Sequence, residues 1–132
     1  MLEIINLLSP DICLAVVKDG RVKTYSGRGI KPLLTAITEE KDFFAGAAAA
    51  DKTVGRAAAL LFAYAGVGAC YGAVMSAGAA AAAAEYGIEA SYGARVDNIL
   101  NADGTDICLM EKMAEGETPE SAFNKFRKFF NL

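Results

Sequence analysis

Apolar positions at Leu2, Ile4, Ile5, Leu7 and Leu8 predict a short amphipathic helix over residues 2–8. Ser9-Pro10 closes it, because the residue before a proline avoids the helical region. Ile12 to Val17 reads as a strand. Asp19-Gly20 signals a type I′ turn, and Arg21 to Tyr25 alternates polar and apolar as the return strand. After the flexible break Gly27-Arg28-Gly29, a helix is predicted from Ile30 to Ile37, with Pro32 in its first turn. The apolar run Phe43 to Ala49 reads as a buried strand. Asp51 is then placed to cap a helix whose inner face is Val54, Ala57, Ala58, Leu61 and Ala65. Ala69 to Met75 is the next strand, Ala77 to Tyr86 a helix closed by Gly87, and Ile88 to Tyr92 a further strand. Thr105 or Asp106 opens a short helix that holds Cys108 and ends near Gly116. Thr118-Pro119-Glu120 starts the last helix, which runs to about Phe130.

The order is helix, hairpin, helix, then strand and helix in alternation. Strands joined by helices pair in parallel through right-handed crossovers. With helices on both faces this predicts a single α/β domain over residues 1–132, a three-layer α/β/α sandwich. Its sheet would be mixed, of about five strands, with the antiparallel hairpin at the N-terminal end. A chain of 132 residues suits one such domain. Residues 57–84 carry no charge and are long enough to cross a bilayer. They are mostly Ala and Gly, however, and Gly66-Val67-Gly68 divides them, so they read as helix, turn, buried strand and helix rather than a membrane span. The chain has 26 alanines. Alanine faces let backbones approach closely, but each helix then buries less area at about 25 cal/mol per Å². Extra burial at a subunit interface is expected, as a symmetric homodimer.

Composition narrows the chemistry. A net charge of −3 argues against nucleic-acid binding by phosphate neutralisation. The chain has no histidine, which removes His-dependent triads, His bases and His metal ligands together. Cys13, Cys70 and Cys108 show neither C-x-x-C spacing nor the even count of a disulfide framework. No metal and no cofactor is expected. The N-terminus lacks the basic region of a signal peptide, so a cytoplasmic location is expected.

Asp51-Lys52-Thr53-Val54-Gly55-Arg56 is the most suggestive segment, because it lies where a strand feeds a helix. Unpaired N–H groups at a helix start attract anions, and Lys52 and Arg56 add positive charge. Gly46 through Thr53 approximates a phosphate loop, with Asp51 where the second glycine belongs. Asp51 is either a helix cap or, with Lys52, the centre of a small-molecule site that Thr53, Gly55 and Arg56 would complete. Cys108, in the first turn of its helix, has Glu111 and Lys112 at helical spacing; it is either an apolar filler or a reactive thiol paired with Glu111. Ser76 is placed to cap the alanine helix or to bind a ligand at the same sheet edge. The basic-aromatic stretch Phe123 to Phe130 is either a solvated face backed by a core face or a docking helix.

The residues Asp51 to Ala59 and Cys108-Leu109-Met110-Glu111, in this order of elements, resemble an uncharacterised prokaryotic domain-of-unknown-function family with a cytidine-deaminase-like fold. The resemblance covers roughly residues 10–130. Leu109 departs from the proline expected after the cysteine. In deaminases of that fold, zinc sits on a His or Cys opening one helix and two Cys opening the next, with a Glu as proton carrier. On that template Asp51 and Thr53 fall near the first ligand and the Glu, and Ala77 and Ala80 near the two Cys. The resemblance therefore implies the scaffold and its pocket without zinc-dependent deamination. Two readings remain open: a site for a small nucleotide-like or anionic ligand, with Asp51, Lys52, Cys108 and Glu111 as candidate catalytic groups; or a non-catalytic oligomerisation or partner-binding module.

Overall fold

The hairpin forms where Asp19-Gly20 predicts it, with both residues in the left-handed region (φ 51° and 78°) between β1 (Leu14–Lys18) and β2 (Arg21–Tyr25). The structure, a computed structural model, describes the backbone of residues 1–132 and every side chain except that of Leu2. The N-terminal helix α1 is shorter than its apolar pattern predicts, spanning Leu2–Ile5. The helix after the hairpin, α2, is longer, spanning Lys31–Phe44. Its buried face of Leu33, Leu34 and Ile37 continues to Phe44, so Phe43 and Phe44 belong to this helix and not to a strand. Glu40 is non-helical within it (φ −135°, ψ 39°), and its carboxylate meets the Lys23 ammonium and the Tyr25 hydroxyl of β2.

The central strand β3 is Ala48–Val54, which places Asp51, Lys52 and Thr53 in a strand rather than at a helix start. Helix α3 (Arg56–Ala65), β4 (Ala69–Ser76), α4 (Ala77–Glu85) and β5 (Glu89–Val96) follow, then α5 (Leu109–Ala114) and α6 (Pro119–Phe130). The sheet order is β2-β1-β3-β4-β5. β1 runs antiparallel to both neighbours, and β3, β4 and β5 are parallel. The fold is thus α/β with a mixed, open, five-stranded sheet.

The third layer of the expected sandwich is nearly absent. From β2 to β3, β4 and β5 the parallel strands advance in one direction across the sheet, so right-handed crossovers place α2, α3 and α4 on the same face. Helices on both faces require the strand order to reverse, and here it never does. α5 and α6 pack on α3 and join the same core. The opposite face carries only α1, whose Ile4 packs with Ala15 and Ala50.

The main core is built around α3, whose Leu60, Leu61 and Phe62 are fully buried at about 1.5–3 kcal/mol each. The buried residues of α4 are Ala79, Ala82 and Ala83. The sheet comes close elsewhere too: a Cβ at Gly72 would lie 2.9 Å from Val54 Cγ2 and 2.9 Å from the Val74 carbonyl oxygen. Thr118 and Ser121 form a full capping box at the start of α6, and Phe123 stacks on Tyr64 with ring centroids 4.1 Å apart. Ala122, Phe123 and Phe126 make this helix's buried core face, while Lys125 and Lys128 are exposed. Among the described residues no helix is long and apolar enough to cross a membrane.

Candidate functional site

A cavity of about 380 Å³ opens at the carboxyl end of β3. In open α/β sheets this end of the strands is where loops diverge and leave room for ligands. Its walls bring together Asp51, Lys52 and Thr53 from β3, Gly55, and Cys108 and Glu111 from the start of α5. Segments 51–55 and 108–111, far apart in sequence, therefore share one site. Cys13, the Gly27-Arg28-Gly29 loop, Ile30, Ile99 and Met110 complete it. A more open hollow of about 670 Å³ between β2 and the end of α2 gathers none of the sequence-predicted site residues.

Asp51 is not a helix cap. It lies three residues before the end of β3, opposite Leu14 of β1 and Gly72 of β4. Its side chain is half-buried, and its Oδ1 accepts the Thr53 N–H at 3.3 Å. Burial pushes its carboxyl up to about 7, against the opposing pull of backbone N–H groups and the Lys52 ammonium. Near neutral pH the group exchanges between a proton donor and an acceptor.

The N-terminus of α3 is capped by Glu111. Gly55 occupies the N-cap position and has no side chain to offer. One Glu111 oxygen accepts the Arg56 N–H at 2.6 Å, and the other accepts the Ala57 N–H at 3.0 Å. A carboxylate suits the positive end of the helix dipole. The anion-attracting helix start that the sequence points to is thus occupied by the protein's own side chain, and Glu111 is a structural cap as well as a cavity wall.

Arg56 and Ser76 lie outside the cavity. The Arg56 guanidinium reaches the carbonyls of Ala114 and Glu117 at 3.4 and 3.5 Å, tying α3 to the turn between α5 and α6. Ser76 is buried, and its hydroxyl accepts the Ala79 N–H at 3.1 Å as the cap of α4. Cys108 is the N-cap residue of α5 rather than a member of its first turn, and its thiol does not cap. Its carbonyl accepts the N–H groups of Glu111 and Lys112.

Sequence reasoning missed Cys13 and Arg28. Cys13 lies just before β1, in the run Ile12 to Val17 that reads as a strand, and it is half-buried on the cavity wall. Its carbonyl accepts the Lys52 N–H at 3.2 Å, which sets the two residues side by side. Burial and then the neighbouring Asp51 push its thiol up. A cation between two glycines was the available signal for Arg28.

The family model described as Domain of unknown function (DUF1893) matches residues 4–130. The chain belongs to the DUF1893 family. It is similar to a DUF1893 family protein from Thermotoga maritima whose crystal structure is known at 2.70 Å resolution. The two are 27% identical, with a TM-score of 0.81; the match covers 90% of this chain and 81% of that one. No match was found among curated proteins. In this DUF1893 chain the cavity is assembled entirely within the matched segment, since its lining residues run from Pro10 to Glu111.

Proposed function

We propose that this DUF1893 protein binds a small nucleotide-like or anionic ligand in the cavity at the end of β3. The observation that carries the reading is Asp51: an ionisable carboxyl on a central strand, facing a cavity, with no ion-pair partner among the described residues. Such a group costs the fold free energy, and a ligand's hydrogen-bonding edge is what would satisfy it. Lys52 and Arg28 supply the positive charge for a ligand's anionic group, and the flanking glycines leave the backbone of residues 27–29 open to approach. With Glu111 already on the α3 terminus, the anion is placed toward Lys52 and Arg28 and not on the helix. Cys108 stands on the wall as the candidate reactive thiol.

The scaffold is read as cytidine-deaminase-like from its order of hairpin and strand–helix units. Zinc does not fit it. The positions that would hold the metal on that template are Asp51, Ala77 and Ala80, and two methyl side chains cannot ligate. The reading is accordingly a ligand site without zinc hydrolysis.

Titration calorimetry and thermal shift with a panel of nucleosides, nucleoside monophosphates and inorganic phosphate test it. A ligand at 100 times its Kd raises stability by about 2.7 kcal/mol. Lys52→Ala and Asp51→Asn should each weaken that ligand about tenfold or more while the chain stays folded. Failure of the whole panel to bind, or equal affinity in both variants, overturns the reading.

A further inference from the structure

We propose that the ligand's base is of the guanine type, a heterocycle that presents a ring N–H and an exocyclic amino group side by side to the Asp51 carboxylate. This rests on the ligand reading above and names the class of ligand the site takes.

The regular pleat of the sheet is broken at this site. Along β3, Ala49 belongs to the helix-side core and Ala50 to the cluster under α1, as strand alternation requires. Val54 then returns to the helix side, which an even-numbered residue of a regular strand could not do. β4 makes the same change, since Cys70 and Met75 both join the helix-side core while Tyr71 packs under α1. The ladder between these strands lacks the Lys52–Ala73 pair, and the gap continues into β5, where the Ala73–Gly93 pair is missing. Interrupted pairing of this kind re-aims side chains beside a site. Here three consecutive residues, Asp51, Lys52 and Thr53, border one cavity.

The Asp51 carboxylate has acceptor capacity left over. Its two oxygens offer about four acceptor positions. Oδ1 takes the Thr53 N–H, and among the described residues no ammonium or guanidinium pairs with either oxygen. Two parallel donors match a carboxylate best, as the bidentate pairing of Arg with carboxylates shows. The N1–H and 2-amino group of guanine form such a pair. Adenine and cytosine set an acceptor beside their amino group, and that acceptor would face a carboxylate oxygen. Hypoxanthine keeps the N–H and lacks the amino group. Burial holds the proton of Asp51 only to about 7, so the ionised form that two donors require is available just above neutral pH.

The remaining walls suit a nucleotide. Ile30, Ile99 and Met110 supply apolar surface for the faces of a ring. The volume of about 380 Å³ falls in the small-molecule range of roughly 300–1,000 Å³. Arg28 is exposed, so a phosphate held by it and Lys52 keeps contact with water.

Titration calorimetry at pH 8 with the 5′-monophosphates of guanosine, inosine, adenosine and cytidine tests this. All four carry the same sugar and phosphate, and inosine differs from guanosine only in lacking the amino group. Guanosine monophosphate should bind about tenfold or more tighter than each of the others. Asp51→Asn replaces one acceptor by a donor and should bring guanosine monophosphate down to the level of inosine monophosphate, with circular dichroism unchanged. Binding that ignores the amino group, or a preference that survives in Asp51→Asn, overturns the guanine assignment and leaves the ligand site standing. No binding by any of the four overturns both.

Discussion

The Glu111 carboxylate occupies the space that a side chain at residue 55 would fill: a Cβ built on Gly55 collides with its oxygens. Gly55 has ordinary extended backbone (φ −97°, ψ −177°), so glycine is needed here for room and not for conformational freedom. The small residue lets a carboxylate from a distant segment reach the Arg56 and Ala57 N–H groups and close the start of the central helix.

Glu111→Ala should therefore destabilise the fold by about 1–3 kcal/mol, the cost of a lost charge-assisted cap with donors left unpaired. Gly55→Ala should also destabilise, because the carboxylate must move. In the Glu111→Ala background the collision is gone, and Gly55→Ala should cost much less. A urea-denaturation double-mutant cycle measures the coupling, expected at about 1 kcal/mol or more. Additive effects would show that the two residues do not depend on each other.

That dependence spans the interval between two segments with no local signal linking them, which is why the sequence offers Asp51, and not Glu111, as the candidate cap. The hairpin, the alanine helix with its Ser76 cap, and the Thr118 helix start were legible because turn and cap chemistry is local. The start of β3 was not. Residues 45–50 are a glycine and alanines, which fit a helix or a strand equally, and only their place between β1 and β4 decides. The third layer was expected from alternation alone, whereas the face a helix takes follows from the direction in which strands are added. In the site, Asp51, Lys52, Cys108 and Glu111 were found by residue type. Cys13 and Arg28 were missed because their relevance comes from pairing across the sheet and from loop position.

The raised carboxyl of Asp51 makes stability depend on pH. Unfolded, the group ionises near 3.8; folded, it holds its proton to about 7. Between these values the folded chain binds more protons than the unfolded one, so this group's contribution to stability falls as pH rises. Asp51→Asn cannot ionise and should remove that loss. The variant should match wild type near pH 4 and exceed it above pH 7, by on the order of 2 kcal/mol. That is less than the full shift at about 1.36 kcal/mol per pH unit would give, because part of the carboxyl meets water. Denaturation midpoints of both proteins from pH 4 to 8 check this. A variant less stable than wild type at pH 8 would show that ionised Asp51 stabilises the fold.

The same carboxylate acts on Cys13. Two influences hold its thiol up, burial first and the charge of Asp51 second, while Lys52 pulls the other way. Neutralising Asp51 removes one of the two, and removing the Lys52 charge adds to both. Alkylation of Cys13 by iodoacetamide at pH 8, where Asp51 is ionised in the wild type, reports the thiolate fraction. Asp51→Asn should speed it severalfold, and Lys52→Met should slow it. Cys70 is fully buried and burial pushes its thiol up to about 11, so it should stay unlabelled in all three proteins and reports that the fold is intact. Because burial is the larger influence, Cys13 should remain slower than a free cysteine even in Asp51→Asn. Equal Cys13 rates in all three proteins would mean that Asp51 and Lys52 do not share an electrostatic environment with the thiol, and the cavity would lose its standing as one coupled site.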